Sequence, residues 1–297
     1  MPGPTAERPF GALLTAMVTP MTDDGRLDLD AAAALAVHLV DHGHDGLVVS
    51  GTTGEAPTTS DAEKVDLLRA VVAAVGGRAV VLAGAGSNDT RHAVRLARQA
   101  AEAGAHGLLA VTPYYSRPSQ EGVVAHLTAV ADAGDLPTML YDVPARTGVR
   151  LTSDSLCRLA EHPRIVAVKD ATGDVAAATR LVPETGLAWY CGDDDLLLPF
   201  LAVGAVGLVS MAAHLVGDQL AQVISLVDAG DLAAARDVYR SVLPAVALIS
   251  GSGNGALRSK LALALSGVLP SSAMRLPQVP AGDAETEHVR SVLGLGR

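Results

Sequence analysis

The stretch GLVVSGTTGEAPTTSDAEKVDLLRAVVAAVGGRAVVLAGAG, Gly46 to Gly86, decides the fold. It opens on a short apolar run (46–51), crosses a turn rich in Gly and Thr, and reaches Ser60. Ser60 and Glu63 have the spacing of a capping box, in which each side chain satisfies a free backbone N–H at a helix start. Val65, Leu68, Val72 and Val75 then make one apolar stripe at helical spacing. A second apolar run (79–86) closes the unit. Both runs are apolar at successive positions, as in parallel strands covered by helices on both faces. Strand, helix, strand is therefore one crossover unit.

The unit repeats along the chain. Strands are expected at 13–19, 46–51, 79–86, 107–113, 137–143, 165–171, 187–192 and 205–211. Helical patterns fall near 28–42, 60–75, 90–103, 119–134, 152–161, 174–185, 194–203 and 218–229. Eight such repeats predict the α/β class and a (β/α)8 barrel, also called a TIM barrel. An open doubly wound sheet would want a Gly-x-Gly-x-x-Gly turn after its first strand, and Thr19-Pro20-Met21 is not one. From about 231 the texture changes to helical patterns with no strand between them. The division expected is a catalytic barrel over 1–230 and a small C-terminal all-helical subdomain over 231–297.

Composition narrows the function. The 297 residues are 49% hydrophobic and 18% charged, enough to bury a large core. A net charge of −10 argues against nucleic acid or an anionic membrane as partner, because phosphate binding needs a basic face. Cys157 and Cys191 are too few for a disulfide framework, so a cytoplasmic location is expected. The opening MPGPTAERPF lacks the apolar run of a signal peptide. Leu196 to Val216 is apolar enough to suggest a membrane span, but Pro199, Gly204 and Gly207 interrupt it. A short helix followed by a buried strand explains it better.

In a barrel of this kind, chemistry collects at the C-terminal ends of strands. The polar residues there are Thr52, Thr53 and Glu55 in SGTTGEAP, Tyr114 and Tyr115 in VTPYYSRP, Tyr141 and Arg146 in YDVPARTG, and Lys169 in RIVAVKDATGD. Lys169 is one of only three lysines. Two readings of it stay open: an ion pair with a neighbour such as Asp170, or an amine nucleophile whose pKa an apolar barrel lowers. A neutral amine could form a Schiff base with a ketone. Tyr141, on the adjacent strand, is a core phenol or a proton carrier. Arg146 offers a fork for a carboxylate, or a surface salt bridge. The Thr52-Thr53-Gly54 turn offers hydroxyl and N–H groups to another carboxylate. His38, His42 and His44 include an i,i+4 pair, but they belong to the opposite end of the barrel. Asp193 to Asp195 are expected to cap the following helix.

The runs GLVVSGTTGEAPTT, VTPYYSRPSQEG, YDVPARTG, VAVKDATGD, Gly192-Asp193-Asp194 and RLPQVP span nearly the whole chain in one order. Together they resemble the dihydrodipicolinate synthase family of the pyruvate-dependent class I aldolase superfamily. The resemblance implies that Lys169 forms a Schiff base with pyruvate, and that Tyr141, Thr52 and Tyr115 relay protons, Tyr115 serving the neighbouring subunit. It implies that Thr53 holds the pyruvate carboxylate and Arg146 that of L-aspartate 4-semialdehyde. Gly192 and Val209 would supply backbone groups near the imine. No metal or organic cofactor is implied, and the assembly would be a homotetramer of tight dimers.

Relatives that cleave sialic acid share the lysine and tyrosine but differ at the position of Arg146, and usually carry Ser-Thr where this chain has Thr52-Thr53. The alternative reading is another class I pyruvate lyase or aldolase acting on a different aldehyde. Lysine-inhibited members carry polar residues, often His and Glu, around a pocket between subunits. Here Ala56, Pro57, Asp61, Lys64 and His92 align there, with Asn88 and Tyr114 kept, so weak inhibition by L-lysine is expected. Cys191 and His214 also depart from the common pattern.

Overall fold

The computed structural model describes residues 7–251 and 254–295, so residues 1–6 of the opening stretch lie outside the described residues. Eight strands are present: β1 (Leu13–Ala16), β2 (Gly46–Val49), β3 (Val80–Gly84), β4 (Gly107–Val111), β5 (Thr138–Asp142), β6 (Ile165–Asp170), β7 (Ala188–Cys191) and β8 (Gly207–Ser210). They pair in parallel in sequence order, and β8 returns to β1 to close the barrel. Each strand stops one to three residues short of its expected C-terminal end. The first residues past the ends of β1, β3 and β4 still donate to the neighbouring strand, Met17 to Val48, Ala85 to Leu109 and Thr112 to Tyr141, and beyond them the chain turns into the loops of the functional face.

The helices are α1 (Leu29–Asp41), α2 (Asp61–Val75), α3 (Thr90–Glu102), α4 (Gln120–Gly134), α5 (Pro144–Thr147), α6 (Ser153–Ala160), α7 (Val175–Thr185), α8 (Leu197–Ala202) and α9 (Ala213–Asp228). Asp28, Ser60, Asp89, Ser119, Thr152 and Asp174 each accept a bond from a first-turn N–H. Such a cap contributes about 1 kcal/mol and fixes where each helix leaves its loop. The capping box at Ser60 and Glu63 is present in full. The face of α2 that is most buried is Leu67, Leu68, Val71 and Val75, rotated slightly from the expected stripe; Val65 and Val72 sit at its margin.

Strand alternation creates two cores. Leu14, Val48, Leu82, Leu109, Met139, Ala167, Tyr190 and Val209 fill the barrel, with Phe10 among them. Their neighbours Leu13, Leu47, Val81, Leu108, Leu140 and Val168 face the helices. The Tyr190 hydroxyl donates to the Gly11 carbonyl at 2.9 Å, tying the segment before β1 to the barrel interior. The Leu196–Val216 stretch divides into α8, β8 and the start of α9. Among the described residues no helix is long and apolar enough to cross a membrane.

After α9 come α10 (Leu232–Ser250), α11 (Gly255–Leu265) and α12 (Asp283–Val292), with no strand between them among the described residues. Helix α10 packs along α9, while α11 packs against α9 and α10. The segment between α11 and α12 folds back to the β2 side of the barrel, where Arg275 bonds to Gly25, Thr58 and Glu63.

Candidate active site

Lys169 is the fifth residue of β6, and period-2 alternation makes it follow Ala167 into the barrel while Val168 and Asp170 face outward. It is 5% exposed. Tyr141 lies directly opposite it in the β5–β6 register. The Lys169 Nζ stands 4.4 Å from the Tyr141 ring centroid.

Among the described residues Lys169 forms no salt bridge, and the ion pair with Asp170 is absent. Asp170 points to the other face, where its Oδ1 accepts from the Thr172 N–H at 2.8 Å. Burial pulls the Lys169 pKa down to about 8; Asp194 and Asp193 oppose the shift and Arg146 adds to it. Burial pushes the Tyr141 phenol up to about 12, so it stays protonated at neutral pH. A poised amine thus faces a phenol that can donate and re-accept a proton.

A cavity of about 420 Å³ opens over this pair, lined by Thr52, Thr53, Tyr141, Arg146, Lys169 and Gly192 among others. The β2 turn reaches it through a tight backbone. The Thr19 Oγ1 donates to the Gly54 carbonyl at 2.6 Å. A Cβ on Gly54 would stand 3.1 Å from both the Met17 carbonyl oxygen and that hydroxyl, so no larger residue fits without displacement. Arg146 sits on α5, the single helical turn after β5, exposed and without a salt bridge among the described residues.

Two of the expected positions lie elsewhere. Val209 packs in the inner core and does not line the cavity; Met211, two residues on, does. Tyr115 is 89% exposed and lines an adjoining cleft of about 920 Å³ with Tyr114 and Arg117. Its φ is +73° and that of Arg117 is +47°. Left-handed backbone at such residues is uncommon and is held here in part by the Tyr115 N–H bond to the Thr147 carbonyl at 3.2 Å.

The aspartates after β7 do not cap as expected, since the turn at Asp194–Leu196 begins with no side-chain cap bond. Asp194 is instead a buried hub. Its carboxylate accepts from the Met211 and Ala212 N–H groups at 3.1 and 3.2 Å, from the Ser250 hydroxyl at 3.0 Å, and from Ser210. Asp193 lines the cavity, and burial beside Asp195 pushes its pKa up to about 6. Neither departure at Cys191 or His214 reaches the cavity. The Cys191 Sγ donates to the Asp193 carbonyl at 3.0 Å, and the His214 Nε2 accepts the Val18 N–H at 3.2 Å.

The model of the dihydrodipicolinate synthetase family matches residues 9–294. The chain belongs to that family. A 4-hydroxy-tetrahydrodipicolinate synthase 2 of Streptomyces coelicolor is 54% identical over 99% of this chain and 98% of its own. Among solved dihydrodipicolinate synthetase family structures, a dihydrodipicolinate synthase of Bacillus anthracis is 39% identical, with a TM-score of 0.92, covering 96% of this chain and 98% of its own. A chloride-inhibited dihydrodipicolinate synthase of Acinetobacter baumannii, complexed with pyruvate, is 34% identical with a TM-score of 0.91 over 96% of this chain and 98% of its own. Membership fixes the fold and the order of the strand-end motifs. The distances and burial above describe what this chain's own residues can do.

Proposed function

We propose that this chain is a 4-hydroxy-tetrahydrodipicolinate synthase, condensing pyruvate with L-aspartate 4-semialdehyde in lysine and diaminopimelate biosynthesis. The observation that carries the reading is Lys169: an amine with no salt bridge among the described residues, at a barrel strand end, with a pKa near 8, directly opposite a protonated Tyr141. Near-full-length identity to a curated synthase supports the second substrate.

The chemistry follows from those two groups. The neutral Lys169 amine attacks the pyruvate ketone, and the resulting alcohol leaves as water to give an imine. Tyr141 donates the proton that the departing hydroxyl needs and takes one back later. Loss of a methyl proton converts the imine to an enamine, whose carbon attacks the aldehyde. The substrate's own amine then closes the ring on the imine carbon, and the lysine amine is released. Thr53, buried in the β2 turn, holds the pyruvate carboxylate, and Arg146 receives the carboxylate of the aldehyde substrate. Thr52 and Tyr115 complete the proton path, while the Gly192 backbone lies along the cavity near the imine and Val209 acts only from the inner core.

The reading extends to a cytoplasmic homotetramer in which Tyr115 serves a neighbouring copy. What supports this is an aromatic side chain 89% exposed on a loop with left-handed backbone at two non-glycine residues. It treats 1–230 as the catalytic barrel and 231–297 as a helical segment joined to it. The test is direct. Incubation with pyruvate and borohydride, followed by peptide mass spectrometry, should place the reduced adduct on Lys169 alone. In a separate reaction without borohydride, pyruvate and L-aspartate 4-semialdehyde together should give turnover. An adduct on Lys64 or Lys260 would overturn the mechanism.

A further inference from the structure

Of the chain's three lysines, Lys260 is the most thoroughly buried, at 0% exposed, in the middle of α11. Its Nζ donates to the Glu55 Oε1 at 2.5 Å and to the Ala273 carbonyl at 2.7 Å. Glu55 is 5% exposed and its other oxygen accepts the Arg275 N–H at 3.1 Å. The partners are 205 residues apart in the chain.

Glu55 sits in the same turn as Thr52 and Thr53. Its N–H donates to the Thr52 carbonyl at 3.1 Å, and its carbonyl accepts the Thr58 N–H at 2.9 Å. Its φ is +56°, a conformation that costs a non-glycine side chain energy unless its surroundings hold it. Glu55 also lines the cavity that Lys169 faces. A buried carboxylate there would repel a substrate anion unless a cation neutralised it. Removing one member of a buried ion pair leaves the other uncompensated, which is far more costly than losing an exposed pair.

We propose that Lys260 and Glu55 are positioning residues for the carboxylate-binding turn: their buried pair anchors the Thr52–Glu55 backbone to α11 and the Ala273–Arg275 segment, so that the C-terminal helices set the affinity for pyruvate. The pair touches no reacting atom and acts through Thr52 and Thr53. This rests on the Schiff-base reading above, and the test separates the two.

The measurement is borohydride trapping of the Lys169 adduct against pyruvate concentration, with no aldehyde present. It is made on the wild type, K260Q, E55Q and the double variant. Both single variants should raise the half-saturating pyruvate concentration at least fivefold, although one makes the wall more negative and the other less. The double variant should be no worse than the worse single one, because the anchor can be lost only once. K260R should recover part of the loss. The pH midpoint of trapping should stay at its wild-type value, since neither residue is among the groups that shift Lys169. A contribution to stability alone would lower the melting temperature and leave the half-saturating concentration of folded protein unchanged. Wild-type half-saturation in E55Q or in K260Q overturns the proposal, and E55Q decides it if K260Q does not fold. Failure of the wild type itself to trap pyruvate overturns the Schiff-base reading instead.

Discussion

Lys169 and Tyr141 face one another across a strand ladder, and their opposite shifts have one cause. Burial disfavours whichever form is charged, so it leaves more of the lysine as the free, nucleophilic amine and makes the phenol a weaker acid. The rate of adduct formation with pyruvate should therefore rise about tenfold per pH unit at low pH and level off near 8, well below the ordinary lysine range near 10.5. Stopped trapping reactions across pH 6 to 10 measure the midpoint; one at 10 or above would mean that the amine is solvated. K169A should abolish the adduct. Y141F removes the proton carrier while keeping the ring, and should lower kcat by roughly 10²- to 10⁴-fold, the usual range for a general acid–base group. The lysine's direction was legible in the sequence, because alternation past Ala167 turns it inward. Its missing ion pair was not, since adjacency in sequence to Asp170 means opposite faces in a strand.

The β5–β6 ladder carries a second pair one residue further on, Asp142 opposite Asp170, on the outward face. Asp142 accepts the Leu151 N–H at 3.2 Å through Oδ2, while its buried Oδ1 has no bonding partner among the described residues. Burial pushes its pKa up to about 7, with Asp170 adding to the shift and the Leu151 bond and Arg150 opposing it. A folded-state pKa above the unfolded one means that the folded protein holds the proton more tightly. That stability is fully present below the unfolded carboxylate pKa near 3.8 and is lost as pH rises through about 7. D142N keeps an acceptor for Leu151 and removes the buried charge. It should melt above the wild type at pH 8, with the gap narrowing at pH 5.5; at about 1.4 kcal/mol per pKa unit the difference amounts to a few kcal/mol. An equal or lower melting temperature at pH 8, measured by circular dichroism, would refute it. Elements of this kind were readable as elements: apolar runs gave all eight strands, and Ser60 with Glu63 gave the start of α2. The roles of Asp194 and Lys260 were not. Asp194 lies among aspartates that local rules assign to a cap, and its partners Ser210, Met211, Ala212 and Ser250 come from later in the chain. Lys260 lies in an ordinary helical pattern, and only the closing of the barrel brings Glu55 to it.

At the scale of the molecule, the functional face holds two adjoining spaces, and Thr52, Tyr141 and Arg146 line both. The larger cleft also takes in Ala56, Pro57, Asp61, Lys64, His92 and Tyr114, the positions where lysine-inhibited relatives are expected to carry an effector pocket. The charged groups at these positions are already engaged. The His92 Nε2 pairs with the Asp61 Oδ1 at 2.8 Å, and the Lys64 Nζ donates to the Thr59 carbonyl. An arriving lysine would need a carboxylate for its ammonium group, and Asp61 is occupied by His92. It would also meet the ammonium of Lys64, and like charges at close range oppose binding. Ala56 and Pro57 offer no polar side chain in compensation. Initial rates with both substrates should therefore fall by less than half at micromolar L-lysine, with inhibition confined to the millimolar range. K64E supplies a carboxylate and removes the opposing charge, so it should shift the inhibition curve to lower L-lysine while leaving the half-saturating pyruvate concentration near the wild-type value. Strong micromolar inhibition of the wild type would contradict the charge argument. So would a K64E curve superimposed on the wild-type one, because the site would then be reading something other than the charge that Lys64 presents.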